Sequence, residues 1–175
     1  MRTFDIDEEI PHALYAVRWG KNEENALNKA IVQLQDPEYL TRFFMKNQDK
    51  LFFFDCTVTE AVTRTHGQTN RFLQEMRTRA KNATLYETPD LDELFTPLHK
   101  EAGYFNRRFH TDYKATGPEE IPWIRIYAVR CDENLYVITG FGIKLVKKMQ
   151  EDILLNKEID KLEKATSYLK TIGML

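Results

Sequence analysis

Residues 122–149, PWIRIYAVRCDENLYVITGFGIKLVKKM, decide the fold of this chain. The first part alternates, so that one face of a strand carries Ile124, Ile126 and Ala128 and the other carries Arg125, Tyr127 and Val129. Residues 132–134 are typical turn residues, and a second run rich in β-branched and aromatic side chains follows them. This pattern predicts a β-hairpin with one apolar and one mixed face.

The mixed face of the hairpin gathers positive charge. Arg125 and Tyr127 lie on it, beside a strand that ends in Lys144, Lys147 and Lys148. Cations and a phenol on a sheet surface suit a partner that carries phosphate groups. A solvated face gives the same pattern, so both interpretations stay open at this point.

Length and composition indicate a single cytoplasmic domain. The chain has 175 residues, of which 42% are hydrophobic, enough for one well-buried core. No apolar run approaches the roughly 20 residues that a membrane-spanning helix needs, and the N-terminus is acidic, so we expect neither a membrane anchor nor a signal peptide. The two cysteines, Cys56 and Cys131, form no CxxC motif, which favours a reducing compartment.

The overall charge gives no general attraction to nucleic acid. The net charge is -2 and the isoelectric point about 6.1, whereas a nucleic-acid-binding domain typically has a value above about 9. Any such role must therefore depend on a local patch. The candidate patch comprises Arg107, Arg108, Lys114, Arg125, Arg130, Lys144, Lys147 and Lys148.

The N-terminal part predicts one strand followed by three helices. Residues 12–19 read as a strand, and apolar residues at helical spacing mark a helix over 23–34. Asp36 and Pro37 are an N-cap and a first-turn proline that start a second helix, and Thr57 with Glu60 has capping-box spacing for a third, which runs to about residue 80. The run LFFFDC at 51–56 fits a helix end, a connector or a short strand.

The rest of the chain completes an α+β fold. Residues 87–98 read as a turn leading into a short apolar segment that we interpret as a strand, and we predict a mobile loop over 103–118. Apolar residues at helical spacing from 155 to 172 predict a terminal amphipathic helix that covers the sheet. We expect a small, mostly antiparallel sheet with this C-terminal helix on one face and the N-terminal helices beside it.

From Leu91 onward, about half of the chain resembles the RelE/HigB-like superfamily of bacterial toxins, including phage-derived HigB-like proteins. The matching residues, in order, are Leu91, Leu94 and Leu98; Trp123, Arg125, Ile126 and Tyr127; Asp132 to Asn134; Gly140, Phe141, Lys144 and Lys147; and Glu158, Ile159 and Tyr168. The resemblance implies one RelE-like domain over residues 1–175, with an enlarged helical portion at about 21–80.

The resemblance also implies a function and a set of site residues. Cleaving members of this superfamily cut mRNA on the ribosome without a metal or cofactor and are held inactive by an antitoxin. By position, Arg125 would stabilise the phosphate, Lys144 and Lys147 would orient or neutralise it, and Tyr127 would donate a hydrogen bond or stack. Further RNA contacts would come from Arg107, Arg108, Lys114, Arg130 and Lys148.

An alternative function is a non-catalytic interaction module that retains the RelE-like fold. It is favoured by the acidic isoelectric point, by the extra N-terminal helices and by the histidines, because none of the four follows the last strand, where a HigB-like acid-base histidine would lie. An unrelated role in a phage or mobile element is a third possibility.

Overall fold

A six-stranded sheet forms the centre of the structure, a computed structural model that describes residues 4–98, 111–117, 122–146 and 153–175. In chain order the strands are β1 Asp5–Ile10, β2 Leu14–Arg18, β3 Phe95–Pro97, β4 Asp112–Thr116, β5 Ile124–Asp132 and β6 Leu135–Ile143. Their spatial order is β1-β2-β6-β5-β4-β3, in which β2 and β6 are parallel and the other neighbours antiparallel. The predicted α+β class with a mostly antiparallel sheet is confirmed.

Two of the six helices that the structure describes begin where their capping residues predict, and the first begins at Ala26, three residues after its predicted start. The helices are α1 Ala26–Leu34, α2 Pro37–Lys46, α3 Gln48–Leu51, α4 Val58–Thr84, α5 Leu91–Leu94 and α6 Ile153–Thr171. The Asp36 carboxylate accepts from the Glu38 N–H at 3.0 Å, and the Thr57 hydroxyl accepts from the Glu60 N–H at 3.2 Å. The ambiguous run at 51–56 contains the end of α3 and a 3₁₀ turn, Phe52–Phe54.

The predicted β5–β6 hairpin is confirmed, and its turn uses Asn134 in the left-handed region at φ 54°. Asparagine adopts this conformation more readily than most residues. The register shifts between Tyr127 and Ala128, where Gly140 and Ile138 are the facing residues and Thr139 is the extra one. This bulge changes which β6 side chains lie on each face of the sheet.

Two strands were not predicted. β1 is rich in Asp and Glu, which disfavour strands, but Arg18 on β2 forms ion pairs with Asp5 at 3.8 Å and with Asp7 at 3.3 Å. β4 lies inside the stretch predicted as a mobile loop. That prediction is wrong for Asp112–Thr116, because pairing with β3 and β5 supplies the backbone hydrogen bonds that local pattern does not reveal.

The sheet lies between two layers of helix. One face, with Ile126, Ala128 and Ile138, packs in a core with residues of α1, α2 and α4. The other face, with Tyr127, Val129 and Val137, packs in a core with residues of α6. The N-terminal helices therefore pack on the face opposite α6 and not beside it, since β5 and β6 are apolar on both faces.

Helix α6 approaches β6 closely because two residues of the strand have no side chain. A Cβ atom on Gly140 would collide with the Glu158 carboxylate, and one on Gly142 would collide with Leu155. Leu155 and Glu158 are both buried residues of α6. The glycines of the TGFG segment are thus needed for close packing of helix on strand.

Within the described ranges, no helix is both long and apolar enough to cross a bilayer.

We predict that Gly140→Ala destabilises the protein by about 1–3 kcal/mol, because the added methyl group overpacks the contact with Glu158. In a Glu158→Ala background the same substitution should lower the free energy of unfolding much less. Chemical denaturation of the two single variants and the double variant measures this coupling.

Gly67→Ala is the matched control, because Gly67 lies inside α4 and an added Cβ would meet only the flexible end of Arg71 at 3.4 Å. It should stabilise by about 0.5–1 kcal/mol. Equal destabilisation by Gly140→Ala in both backgrounds would contradict the proposed packing.

Candidate functional site

The residues predicted to form the site are only partly described. Arg125, Tyr127 and Arg130 lie on β5, Lys114 lies on β4, and Lys144 directly follows β6. The predictions for Arg107, Arg108, Lys147 and Lys148 concern positions outside the described residues.

Arg125 is a partly buried cation held against its own strand. One terminal nitrogen donates to the carbonyl oxygens of Pro122 at 2.9 Å and Ile124 at 3.1 Å. Burial lowers the pKa of the guanidinium from its usual value. The Nε atom is buried and has no hydrogen-bond partner among the residues described. Arg125 thus retains an unused donor, and no described carboxylate lies within ion-pair distance of it.

Lys144 lies at the same end of the hairpin as Arg125. Its backbone N–H donates to the Trp123 carbonyl at 2.7 Å, while Arg125 is paired with Gly142 across the strands. Lys114 on β4 is directly opposite Tyr127 and is partly exposed. Register therefore brings the backbones of Arg125 and Lys144 together at one end of the sheet.

Tyr127 has no accessible surface. It is fully buried in the core that includes Leu155, Leu162 and Leu169 of α6. A ring in this position has no face on which an RNA base can stack. The structure therefore gives Tyr127 a role in supporting α6, in contrast to the stacking role that the sequence suggested.

Arg130 is paired with Asp92, the second residue of α5. Its Nε and one terminal nitrogen donate to the two carboxylate oxygens at 3.2 and 3.3 Å, and its guanidinium lies 5.9 Å from the centre of the Tyr113 ring. This bidentate pair raises the pKa of Arg130 further above its already high value. Arg130 therefore connects α5 to the hairpin in this structure.

Asp92 is the centre of a network at the turn of the hairpin. Besides Arg130, it accepts from the Tyr136 hydroxyl at 2.6 Å and from the Asn134 N–H at 3.1 Å. Burial alone would raise the pKa of Asp92, but the hydrogen bonds from Arg130 and Tyr136 outweigh burial and lower the pKa. The network fixes the hairpin turn against α5.

A cleft next to Glu158 was not predicted. It lies between α1, α2, β6 and α6 and has a volume of about 340 Å³. Glu158 is 8% exposed, and burial raises the pKa of its carboxyl. The sequence contains a signal for this position, because Glu158 follows Leu155 by three residues and precedes Leu162 by four, which places a carboxylate on the apolar face of α6.

Among the residues that the structure describes, no group of three or more His, Cys, Asp or Glu side chains is placed to hold a metal ion.

We predict that Asp92→Asn lowers the free energy of unfolding by about 1–3 kcal/mol at neutral pH, because Arg130 and Tyr136 lose a charged acceptor. The folded-state pKa of Asp92 lies below the ordinary 3.8, so its stabilisation is complete above that pH and is lost as the pH falls through the folded-state value. The difference in free energy of unfolding between wild type and variant should therefore become smaller at acid pH.

Denaturant titrations between pH 2.5 and 7 measure this difference, with Asp160→Asn on the exposed side of α6 as the control. A difference that stays constant across this range would contradict the assigned role.

Comparison of the chain with protein family models, with curated proteins and with solved structures finds no significant match.

Proposed function

We propose that this chain is a RelE/HigB-like toxin-type protein that binds an RNA phosphate through Arg125 and Lys144 and cleaves mRNA on the ribosome without a metal. The observation that carries the proposal is the state of Arg125. It is partly buried, its Nε donor has no partner among the described residues, and no described carboxylate neutralises it. Buried arginines are normally paired, so an anion would complete this site.

The main chemical requirement of the proposed cleavage is a group that stabilises negative charge on the phosphate. In this reaction a ribose 2′-hydroxyl attacks the adjacent phosphate, and negative charge builds up on the phosphate oxygens. A guanidinium with fixed N–H directions stabilises that charge best when it is already oriented and partly shielded from water. The two carbonyl contacts of Arg125 supply that orientation. Lys144 follows β6 at the same end of the hairpin and adds a second cation.

The other predicted residues differ in whether the proposal assigns them a contact with RNA. Arg130 is engaged by Asp92 and Tyr127 is buried under α6, so neither is assigned a contact with RNA. Lys114 remains a candidate RNA contact on the neighbouring strand. Lys147 remains a predicted catalytic residue, and Arg107, Arg108 and Lys148 remain predicted RNA contacts. An antitoxin is the expected protein partner.

We predict that induced expression of the wild type stops growth of a bacterial host, and that Arg125→Ala with Lys144→Ala restores growth. Loss of the charge-stabilising donors should lower mRNA cleavage on ribosomes by at least about 10²-fold. Primer extension on mRNA from induced cells measures the cleavage directly.

The control is the double variant Arg77→Ala with Lys81→Ala, which removes the same two charges from exposed positions of α4. It should stop growth as the wild type does. Unimpeded growth of cells that contain soluble wild-type protein would exclude the toxin function, and recovery of growth by the control variant would exclude the assigned site.

A second candidate function is an interaction module that keeps this fold without cleaving RNA. It is favoured by the exposure of Phe52 and Phe53, which are 82% and 84% accessible on the 3₁₀ turn after α3. Their ring centres are 6.0 Å apart in an edge-to-face arrangement. Paired exposed aromatic rings are a common anchor for a protein partner, and an antitoxin-type protein with an amphipathic helix is the occupant we expect.

For this second candidate we predict that Phe52→Ser with Phe53→Ser abolishes the co-purification of one stoichiometric host protein while the melting temperature stays the same. The control, Leu85→Ser with Tyr86→Ser, changes two other exposed apolar residues, 65% and 97% accessible, and should retain the partner. Recovery of ribosomal RNA with the wild type would favour the toxin function, whereas a partner retained by the Phe52/Phe53 variant would exclude this docking surface.

A further inference from the structure

The cleft beside Glu158 exists because β2 pairs with only part of β6. β2 pairs with Tyr136–Ile138, and the Trp19 indole then donates to the Thr139 carbonyl at 2.7 Å in place of a further backbone bond. Beyond that point, Phe141, Gly142 and Ile143 form one wall of the cleft. The other walls come from α1, α2 and the first turns of α6. Its volume, about 340 Å³, is in the range of small-molecule sites.

Three of the residues that line the cleft are aromatic. Tyr39 and Phe43 from α2 and Phe141 from β6 line it, and all three are only partly buried. Tyr39 and Phe43 lie one turn apart on the helix, so both reach the same side. Partly exposed aromatic rings around an open cleft provide stacking surfaces for a flat ring.

One of the polar groups that line the cleft is the carboxylate of Glu158, which has one oxygen without a partner among the described residues. The Oε1 atom of Glu158 accepts from the Lys161 ammonium at 3.1 Å. The Oε2 atom lies against Gly140 and has no hydrogen-bond partner among the described residues. Glu158 is more than nine-tenths buried. A buried acceptor without a partner is costly, and rotation of the Glu158 carboxylate toward the cleft would let an N–H donor of a ligand remove that cost.

The opening of the cleft is positively charged. Lys29 from α1 and Lys157 from α6 line it and are exposed, and Lys161 forms the ion pair with Glu158. Glu23 faces Lys29 at 3.8 Å and neutralises it only weakly, because both side chains are about half exposed. Three lysines and one glutamate therefore line the cleft, and this excess of positive charge favours an anionic ligand.

We propose that this cleft binds a nucleotide, with its base against Tyr39, Phe43 and Phe141, an N–H of the base donating to Glu158, and its phosphate at Lys29 and Lys157. A flat ring, an N–H donor and a negative group are the three features that the cleft complements, and a nucleotide combines them. The nucleotide is either free or part of an RNA strand. The site shares no side chain with Arg125 and Lys144, so it does not depend on the function proposed above.

The test is isothermal titration of the purified full chain with AMP, GMP, CMP and UMP, with a six-nucleotide RNA, and with inorganic phosphate. We expect saturable binding of at least one nucleotide or of the RNA, and binding of phosphate at least tenfold weaker. Binding of mononucleotides identifies a free nucleotide as the ligand, and binding of the RNA alone identifies a strand.

The variants Glu158→Gln and Lys29→Ala with Lys157→Ala should each weaken binding at least tenfold. Glu158→Gln keeps the size of the side chain, and the two lysines are exposed, so neither variant should unfold the protein. Lys46→Ala with Lys81→Ala removes two exposed lysines that do not line the cleft and should leave binding unchanged.

Two results would overturn the proposal. One is no saturable binding of any nucleotide or of the RNA by protein with a cooperative thermal transition. The other is binding that both site variants retain, or that phosphate matches in affinity. Neither result bears on growth arrest, because the titration contains no ribosomes and uses residues outside the Arg125 site.

Discussion

The two-sided burial of the β5–β6 hairpin is the constraint on which the rest of the structure depends. Alternate residues of β5, such as Ile126 and Tyr127, are buried in different cores, one on each face of the sheet. Each face needs its own cover, since apolar area exposed to water costs free energy roughly in proportion to its size. The N-terminal helices cover one face and α6 covers the other.

The way in which α6 covers its face also places Glu158 beside the open cleft. Gly140 and Gly142 let the helix lie close to β6, and Glu158 is then buried against the strand where an apolar residue would ordinarily pack. Burying a carboxylate is unfavourable unless it gains partners. Lys161 supplies one partner at 3.1 Å. The remaining oxygen has no hydrogen-bond partner among the residues that the structure describes.

Local sequence pattern predicted the elements whose signals lie within a few residues. The hairpin, the caps at Asp36 and Thr57, and the stripe of α6 are of this kind. β4 was missed because its place in the sheet depends on pairing with β3 and β5, which come from other parts of the chain. β1 was missed because its acidic residues become compatible with a strand only when Arg18 faces them.

In the candidate site, too, sequence pattern predicted only the features that depend on neighbouring residues. Alternation along β5 placed Arg125 and Tyr127 on one face, but it does not reveal that α6 covers Tyr127 and leaves Arg125 only partly buried. The partner of Arg130 is Asp92, 38 residues earlier, and the sequence alone does not connect the two. Basic residues that look equivalent in a sequence therefore differ in whether a carboxylate already satisfies them.

If the chain binds an RNA phosphate as proposed, this difference bears on how a protein of net charge -2 would do so. Its overall charge gives no long-range attraction to RNA, and Arg130 contributes little because Asp92 neutralises it. In the proposal, Arg125 would contribute through its position, since a shielded and oriented guanidinium interacts with an anion more strongly than an exposed one. Under the proposed function, recognition at the hairpin would depend on the geometry of one partly buried cation, and a ribosome that presents the mRNA would supply the encounter that the protein's own field does not.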